Sequence, residues 1–331
     1  MNTAVVGAGA WGTALANVLA EGGHNVMMWA HEADVARAIM YEHANHRFLP
    51  GVALHHRVRA TTRPGEAVAD ADLVLYAPPS HALRAVARSG ATHVHPGATL
   101  VVATKGIEHE TFALMTDVVA AEVPGRPVVG LSGPSFAEEV AHGQPTALVA
   151  ASRDAAASVR VQRAFSSLVF RVYTHDDVIG VELGGALKNV MALAVGMADG
   201  LGLGYNSRAA IITRGLAEMA RLGAALGAQS STFAGLAGVG DLVLTCTGPL
   251  SRNRSLGVTI GKGSTLAQAM EGRETVAEGV PTAESAHALA RARNIDMPIV
   301  SAVHGILFDG QPARDAIRSL MTRELKGEQG R

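Results

Sequence analysis

The chain has 331 residues, of which 48% are hydrophobic and 17% are charged. A composition this apolar excludes an intrinsically disordered chain, and the length predicts about two domains. The formal net charge is -1, so no overall basic excess is available to bind nucleic-acid phosphates. Cys246 is the only cysteine, which excludes an intramolecular disulfide framework and a cysteine-based zinc site and favours a reducing cytoplasm.

Residues 3–20 are uncharged and apolar enough to be mistaken for a signal peptide or a membrane segment. A secretory signal has basic residues before its apolar stretch, whereas only Met1 and Asn2 come before this one. A membrane span of about 20 apolar residues also rarely carries three glycines at a fixed small spacing. We therefore expect no targeting or membrane-spanning role for this segment.

Strands and helices are predicted to alternate through the first half of the chain. Runs rich in β-branched residues predict strands at Thr3–Val6, Asn25–Trp29, Val58–Thr61, Leu73–Tyr76, Thr99–Ala103, Val128–Gly130, Ala147–Ala150 and Arg171–Thr174. Helical periodicity lies between them at Ala10–Glu21, Glu32–Glu42, His81–Ser89 and Thr111–Glu122. This alternation predicts an α/β fold that begins with a Rossmann-like, doubly wound parallel sheet, extended in mixed orientation by the later strands.

The pattern changes near residue 177. From Val178 onward, apolar residues recur at helical spacing, most clearly in Ser207–Leu226 and Pro281–Arg293. We therefore predict a nucleotide-binding, Rossmann-like domain at residues 1–177 and an all-helical substrate and catalytic domain at residues 178–331. The final residues, GEQGR, are predicted to be a frayed polar tail.

A glycine-rich turn follows the first predicted strand, where Gly7, Gly9 and Gly12 form the pattern G-x-G-x-x-G. The first glycine permits a tight turn, the second lets a pyrophosphate approach the backbone, and the third lets helix and strand pack closely. The N-terminus of the following helix offers free N–H groups to phosphates. Because the motif lies within one strand–helix–strand unit, it predicts a dinucleotide site rather than a glycine-rich turn without a ligand.

The choice between NAD and NADP depends on the residues that follow the second strand. Glu32 has the spacing of an acidic residue that binds the ribose 2′-hydroxyl of NAD, but it also stands where the next helix begins. His31 either faces the 2′-phosphate of NADP or is a solvated loop residue. The sequence therefore favours dual use or NADPH over strict use of NAD.

Only four basic residues are lysines, and two of them lie in unusual surroundings. Lys105 follows a predicted strand at its carboxyl end, where open α/β sheets bind ligands. Lys188 lies in an apolar, small-residue helix, and a buried lysine needs a task or a partner. Burial lowers a lysine pKa, which suits general acid–base chemistry near neutral pH. Asp241 is either a helix N-cap or the charge partner of Lys188, for which Glu182 has less suitable spacing.

Two further segments contain candidate anion ligands. The sequence GLSGPSFA at residues 130–137 follows a strand and opens a helix, so it either holds an anion on its N–H groups or forms an ordinary turn. In the segment at 251–253, serine and asparagine flank Arg252. A guanidinium in that setting either binds phosphate oxygens bidentately or is a solvated surface group.

Taken together, these segments resemble the bacterial NAD(P)-dependent glycerol-3-phosphate dehydrogenases over residues 3–325. The resemblance rests on GAGAWG at 7–12, FLPG at 48–51, PPSH at 78–81, ATKGIE at 103–108, SGPSFAEE at 132–139, ELGGALKN at 182–189, NSRAAIITRGLAEMARLGAALGA at 206–228, GVGDLVLTCT at 238–247, SRNRSLG at 251–257 and VAEG at 276–279. It implies reversible reduction of dihydroxyacetone phosphate to sn-glycerol 3-phosphate by NADPH or NADH. It further implies a cytoplasmic homodimer whose product supplies phospholipid synthesis.

The resemblance also implies roles for individual residues. Lys188 is the implied proton donor or acceptor, acting with Asp241 and Lys105. The residues implied to surround the substrate are Lys105, Gly133, Ser135, Lys188, Asp241, Ser251, Arg252 and Asn253. The residues implied to bind the cofactor are Gly7, Gly9, Ala10, Trp11, Gly12, His31, Lys105, Ala137, Arg252, Val276 and Glu278. Many relatives carry a hydroxyl or amide side chain at the position of Ala10, so one hydrogen bond to the phosphates is expected to be missing here.

Other interpretations stay open. A β-hydroxyacid dehydrogenase shares the two-domain plan and a helical-domain lysine, although the segment around Arg252 weighs against it. A non-catalytic NAD(P)-sensing protein needs the glycine motif but neither Lys188 nor Asp241. The 14 histidines are scattered without an H-E-x-x-H pattern, so we expect no catalytic metal. Cys246, in an apolar run, is expected to be a small buried residue rather than a reactive thiol.

Overall fold

The computed structural model describes residues 1–272, 276–324 and 327. Most of the predicted polar tail, residues 328–331, lies outside the described residues. Within the described part, strands and helices alternate up to His175, and only helices and turns follow from Val178. The apolar, uncharged N-terminal segment forms a strand, a turn and a helix.

All eight predicted strands are confirmed within one or two residues at each end. The strands are β1 (Asn2–Val6), β2 (Asn25–Trp29), β3 (Ala44–Asn45), β4 (Leu49–Ala53), β5 (Val58–Thr61), β6 (Leu73–Tyr76), β7 (Thr99–Val102), β8 (Val128–Ser132), β9 (Thr146–Ala151) and β10 (Phe170–His175). The main sheet has the order β10-β9-β8-β7-β6-β1-β2-β5. Its neighbours are parallel except β8 and β9, which are antiparallel, so the predicted mixed extension is also confirmed.

Helices cover both faces of this sheet. They are α1 (Ala10–Glu21), α2 (Ala33–Glu42), α3 (Pro64–Val68), α4 (Leu83–Gly90), α5 (Met115–Glu122), α6 (Ala137–Ala141) and α7 (Ala155–Phe165). One apolar core joins the sheet to α1, α2 and α7, and a second joins its other face to α3, α4 and α5. The arrangement is the predicted doubly wound sheet, whose strands lie buried between two helix layers.

One predicted helix starts later than expected, at Met115 rather than Thr111. Phe112 takes a left-handed backbone conformation with φ of 58°. A right-handed helix cannot continue through a residue in this conformation. The chain instead turns back on itself, because the amide of Glu108 donates to the carbonyl of Ala113. The amide of Ala113 donates to the hydroxyl of Thr111 within this turn. Local hydrogen bonds of this kind to threonine side chains compete with helix formation.

The short β3–β4 hairpin was not predicted. Its first strand has two residues, and its second contains Pro50 and Gly51, so neither carries a strand pattern. The hairpin positions Asn45, whose side-chain amide donates to the carbonyl of Ala8 and to the hydroxyl of Thr13, both at 2.8 Å. It therefore holds the glycine-rich turn in place from outside the strand–helix unit.

The helical half is built around α8 (Val178–Gly200), whose N-terminus is capped by Asp177. Around it pack α9 (Tyr205–Ala225), α10 (Asp241–Thr247), α11 (Arg252–Gly261), α12 (Leu266–Met270), α13 (Gly279–Ala292), α14 (Pro298–Phe308) and α15 (Ala313–Met321). Helix α8 is long and apolar enough to cross a membrane, and 78% of its apolar window is buried in the protein. This is weak evidence for a span, because the core helix of a folded domain passes the same test.

The backbones of α8 and α11 are in direct contact. A Cβ atom at Gly196 would overlap the carbonyl of Arg254, and one at Gly257 would overlap the carbonyl of Leu193. Only glycine permits such an approach at these two positions. The contact fixes the N-terminus of α11, which carries Arg252, relative to α8, which carries Lys188.

Candidate active site

The glycine-rich turn has the geometry that its sequence predicts. Gly7 has φ of +117°, a region that other residues rarely adopt, and lies against the backbone of Ala77. A Cβ at Gly12 would overlap the carbonyl of Gly7, which explains the close packing of α1 on β1. Around Gly9, by contrast, no described atom lies within 4 Å of the position of a Cβ. The N-terminus of α1 therefore faces open space across Gly9, as a phosphate-binding turn requires.

The residues beside this turn also fit a dinucleotide. Ala10 and Trp11 are half-buried at the start of α1, and the buried indole N–H of Trp11 has no hydrogen-bond partner among the described residues. A buried donor of this kind calls for an acceptor. His31 is exposed just after β2, with Glu32 at the start of α2, and Ala137 opens α6 beside the same core. Backbone N–H groups at residues 9–12 would hold the pyrophosphate.

Gly9→Ala is expected to raise the cofactor KM at least tenfold with little change in melting temperature, because its new methyl group enters only the space facing the ligand. Gly12→Ala, in contrast, is expected to lower the melting temperature, because its methyl group overlaps backbone. Thermal unfolding and cofactor titration of both variants provide the measurement. Equal KM values for Gly9→Ala and wild type would contradict the assignment of this turn to the cofactor.

Two lysines share one buried aspartate at the carboxyl edge of the sheet. Lys188 Nζ lies 2.5 Å from Asp241 Oδ1, and Lys105 Nζ lies 2.6 Å from Asp241 Oδ2. Lys105 also donates to the carbonyl of Gly133 at 3.3 Å. The predicted pairing of Lys188 with Asp241 is therefore present, and Asp241 is fully buried at the first position of α10.

Burial tunes the acidity of the central lysine. Lys188 is buried, and the loss of hydration lowers the pKa of its ammonium to about 8, with Asp241 opposing and Lys105 adding to that effect. The group therefore exchanges protons near neutral pH while an aspartate holds it in one orientation. A lysine in this state suits proton donation and uptake at a neighbouring oxygen atom.

Two glycines in α8 make this arrangement sterically feasible. A Cβ at Gly184 would overlap the carbonyl of Ala237, in the turn that leads into α10. A Cβ at Gly185 would lie 2.5 Å from the hydroxyl of Ser132 and 3.4 Å from the side chain of Lys105. The close approach predicted for these glycines thus involves the backbone before Asp241 and the ends of β7 and β8.

The segment after β8 folds over the same edge. Gly133 has φ of +139°, and its carbonyl accepts from the hydroxyl of Ser135 at 3.0 Å. The next residues pack on the helical half, where Phe136 fills the space that a side chain at Gly248 would occupy. Gly133 thus belongs to the lysine cluster, whereas the Ser135 hydroxyl is turned towards its own loop.

Three consecutive residues at the start of α11, Ser251, Arg252 and Asn253, have different surroundings. Ser251 is buried and caps the helix, accepting from the amide of Arg254 at 3.2 Å. Arg252 is the exposed residue of the three, although the surrounding protein partly desolvates its guanidinium and lowers its pKa. Asn253 is buried, donating to the side chain of Asn189 and accepting from the amide of Gly279, each at 2.9 Å. It therefore links the residue next to Lys188 to the start of α13.

A second link crosses from the helical half to the sheet. Glu278 accepts from the amide of Ser80 at 3.0 Å and from its hydroxyl at 2.5 Å, and it attracts Arg252 electrostatically. Burial raises the pKa of the Glu278 carboxyl. Val276 is half-buried just before it. Ser80 was not singled out from the sequence, although its place after β6, at the carboxyl edge of the sheet, was a usable signal.

Cys246 takes no part in the cluster's hydrogen bonding. It is fully buried in α10, and burial raises the pKa of its thiol to about 12. Such a group is a small apolar core residue and an inert thiol, as predicted.

A glycine-rich, nucleotide-binding type of turn on a doubly wound sheet, in the same chain as a buried lysine–aspartate cluster at the carboxyl edge of that sheet, is typical of a nicotinamide-dependent dehydrogenase. Residues 2–158 match the family model described as NAD-dependent glycerol-3-phosphate dehydrogenase N-terminus, and residues 177–318 match that of its C-terminus. The chain belongs to this family of NAD(P)-dependent glycerol-3-phosphate dehydrogenases.

Individual relatives agree with the family assignment. The glycerol-3-phosphate dehydrogenase [NAD(P)+] of Geobacter metallireducens is 53% identical over 330 residues, which are 98% of each chain. A crystal structure of glycerol-3-phosphate dehydrogenase from Coxiella burnetii superimposes with a TM-score of 0.94 at 39% identity, covering 97% of this chain and 99% of that one. The enzyme from Saccharomyces cerevisiae gives a TM-score of 0.83 at 27% identity, covering 97% and 99%.

Proposed function

We propose that this chain reduces dihydroxyacetone phosphate to sn-glycerol 3-phosphate with NADPH or NADH, and catalyses the reverse oxidation. The observation that carries the proposal is the buried Lys188–Asp241–Lys105 cluster, at 2.5 Å and 2.6 Å, on the edge of a dinucleotide-binding sheet. A cluster of this kind can protonate an oxygen atom, which is what ketone reduction requires of the protein.

The cofactor, when bound, supplies hydride to the carbonyl carbon of the substrate. Negative charge then develops on the carbonyl oxygen, and the Lys188 ammonium stabilises that charge and donates the proton. Asp241 keeps Lys188 oriented and favours its charged form. Lys105 adds a second positive charge next to the same carboxylate, within reach of both cofactor and substrate.

The remaining family positions complete the proposal. Arg252, which interacts electrostatically with Glu278, would bind the substrate phosphate and convert that remote binding energy into correct placement of the carbonyl. The residues proposed to bind the substrate are Lys105, Gly133, Ser135, Lys188, Asp241, Ser251, Arg252 and Asn253. The residues proposed to bind the cofactor are Gly7, Gly9, Ala10, Trp11, Gly12, His31, Lys105, Ala137, Arg252, Val276 and Glu278.

The two directions of the reaction are expected to respond oppositely to pH. Reduction needs the Lys188 ammonium, so its kcat is expected to fall as pH rises through about 8, the lowered pKa of this group. Oxidation needs the neutral amine, so its kcat is expected to rise through the same range. Initial rates in both directions on either side of that pH test the expectation, and parallel profiles would contradict the role of Lys188.

The substrate is tested by comparing three ketones. With NADPH and separately with NADH, we expect oxidation of the cofactor by dihydroxyacetone phosphate, much slower oxidation by dihydroxyacetone, and none by a 2-oxo acid. Turnover of the 2-oxo acid alone would favour a β-hydroxyacid dehydrogenase. Cofactor binding without turnover of any ketone would favour the sensing alternative.

We infer a homodimer in the cytoplasm, with residues 1–177 as the nucleotide-binding domain and residues 178–331 as the substrate and catalytic domain. Its product would supply glycerol phosphate for phospholipid synthesis. Sedimentation equilibrium of the purified chain tests the dimer, and a monomeric mass would overturn it.

A further inference from the structure

Each reduction consumes a proton, so Lys188 must regain one in every cycle. The side chains of Lys188, Asp241 and Lys105 are only 9%, 0% and 14% exposed. In the proposed function the substrate and the product lie against Lys188 and would cover the side of the cluster that they contact. A route for protons from another direction would therefore let the lysine recharge while the site is occupied.

A small cavity is lined in part by Lys105. It has a volume of about 10 Å³ and is lined by Val102, Thr104, Lys105, Gly106, Leu131, Ser132 and Glu182. A space of this size accommodates one water molecule when polar groups surround it. Here the lining includes the polar residues Lys105, Ser132 and Glu182.

The hydroxyl of Ser132 supports a water in that cavity. Ser132 is only 4% exposed, and its Oγ has no hydrogen-bond partner in the described ranges of the chain. Buried hydroxyl groups nearly always have a partner, whether protein or water. The hydroxyl lies at the surface of α8 where Gly185 leaves room for it, next to the side chain of Lys105.

Glu182 forms the far wall of this cavity. One of its carboxyl oxygens accepts from the amide of Thr116 at 2.9 Å and the other from the Thr116 hydroxyl at 2.5 Å. Burial raises the pKa of this carboxyl to about 7, against these two hydrogen bonds and with a contribution from Asp117. A carboxyl whose pKa is raised in this way is suited to bind and release a proton near neutral pH.

Glu182 also borders a second space, which opens to solvent. This groove of about 410 Å³ is lined mostly by apolar side chains of the segments around α5, the strands β8 and β9, and the start of α8. The charged groups that line the groove or the cavity beside Glu182 are Lys105, Asp117, Arg153 and Asp154. Glu182 lines this groove and is 9% exposed, so the proposal routes protons from solvent through the groove.

We propose that Glu182 is a proton-relay residue that carries protons from the groove, through one water in the cavity, to Lys105 and then to Lys188. It acts through the lysines and does not touch the substrate. The inference deepens the proposed function, because it rests on Lys188 as the proton donor for ketone reduction. It gives a role to a glutamate that is buried in α8 six residues before the lysine.

Each proton transfer of the proposed relay has a donor and an acceptor. Lys188 loses an N–H bond as the substrate oxygen gains an O–H bond. The neutral amine takes a proton from the Lys105 ammonium, which shares Asp241 with it. Lys105 takes a proton from the cavity water as that water takes one from the Glu182 acid. The Glu182 carboxylate is then reprotonated from solvent in the groove, and the reverse order serves oxidation.

Glu182→Gln tests the relay, because the amide keeps the shape and the acceptor for the Thr116 amide but cannot ionise. We expect kcat for reduction to fall about tenfold, less than for loss of the direct proton donor. We also expect an increased solvent deuterium isotope effect and unchanged KM values for ketone and cofactor. Glu182→Asp, which retains a titrating carboxyl, is expected to restore part of kcat and the pH profile.

Glu218 supplies a matched control. It is also a buried glutamate whose pKa burial raises to about 7, and it also accepts amide N–H groups at a helix N-terminus, from Ile299 and Val300. It does not line the cavity or the groove. Glu218→Gln is therefore expected to leave kcat, its pH profile and the isotope effect at wild-type values, whatever it does to stability.

A second readout does not depend on turnover. Infrared difference spectra of the ligand-free protein are expected to contain carboxylic-acid absorption from Glu182 and Glu218 that titrates near neutral pH. Glu182→Gln is expected to remove one part of this absorption and Glu218→Gln the other. Wild-type values of kcat, pH profile and isotope effect in Glu182→Gln would overturn the relay. If Glu182→Gln behaves like wild type while Lys188→Ala is inactive, the relay fails and the proposed function stands. If the wild-type protein reduces no ketone, the proposed function itself fails.

Discussion

Replacing Lys188 by alanine is expected to lower kcat for reduction of dihydroxyacetone phosphate by about 10³-fold, in the range found for loss of a positioned proton donor. Lys188 is the group whose lowered pKa matches proton transfer near neutral pH. Without it, Lys105 remains bonded to Asp241 but is anchored at the end of β7. We expect the KM for the cofactor to change little, because the glycine-rich turn is untouched.

Lys262→Ala is the matched control for this substitution. Lys262 is an exposed lysine at the C-terminal end of α11, so its removal takes away the same charge without touching the cluster. Circular dichroism and thermal unfolding establish that both variants are folded. A Lys188→Ala variant with at least a tenth of wild-type kcat would contradict its assignment as the proton donor.

Asp241→Asn is expected to have the largest effect on stability. Asp241 is fully buried and is the shared partner of two lysine ammonium groups. Removing one partner of a buried ion pair costs about 3–5 kcal/mol, because the remaining charge stays desolvated and uncompensated. We expect a loss of that size in the free energy of unfolding, measured in urea, together with loss of activity as the lysines lose their protons and orientation.

Asp296→Asn provides the comparison for a surface ion pair. Asp296 and its partner Arg323 are 54% and 44% exposed, so solvent screens their interaction. Pairs of this kind contribute about 0–1 kcal/mol to the free energy of unfolding. The loss of unfolding free energy in Asp296→Asn is therefore expected to lie within that range. A loss below about 1 kcal/mol for Asp241→Asn as well would contradict the claim that its charge compensates the buried lysines.

Local sequence signals predicted the sheet and the nucleotide turn well. The strands alternate with helices along the chain, Gly7 and Gly12 lie against backbone as their positions in the motif predict, and Gly9 leaves open space where the motif predicts a phosphate. The pairing of Lys188 with Asp241 was also predictable, because a lysine in an apolar helix needs a counter-charge and Asp241 stands in an unusual glycine-rich setting. Its second partner, Lys105, was predicted to lie at this edge but not to share the aspartate.

Contacts between segments that lie far apart along the chain could not be predicted from local sequence patterns. Ser80 and Glu278 are 198 residues apart, and Thr116 and Glu182 are 66 apart, and no periodicity relates either pair. Glu182 was considered only as a partner for Lys188, whereas packing of α8 on the sheet turns it towards α5. The left-handed conformation at Phe112 likewise depends on its surroundings and not on its residue type.

The central claim is that the lysine–aspartate cluster reduces dihydroxyacetone phosphate at the expense of NADPH or NADH. The most direct test is the loss of cofactor absorbance on addition of this ketone, measured side by side for wild type and Lys188→Ala, with equilibrium cofactor binding recorded for both. We predict rapid oxidation by wild type, a loss of about 10³-fold in the variant and equal cofactor binding. A wild-type protein that binds either cofactor but oxidises neither would contradict the account.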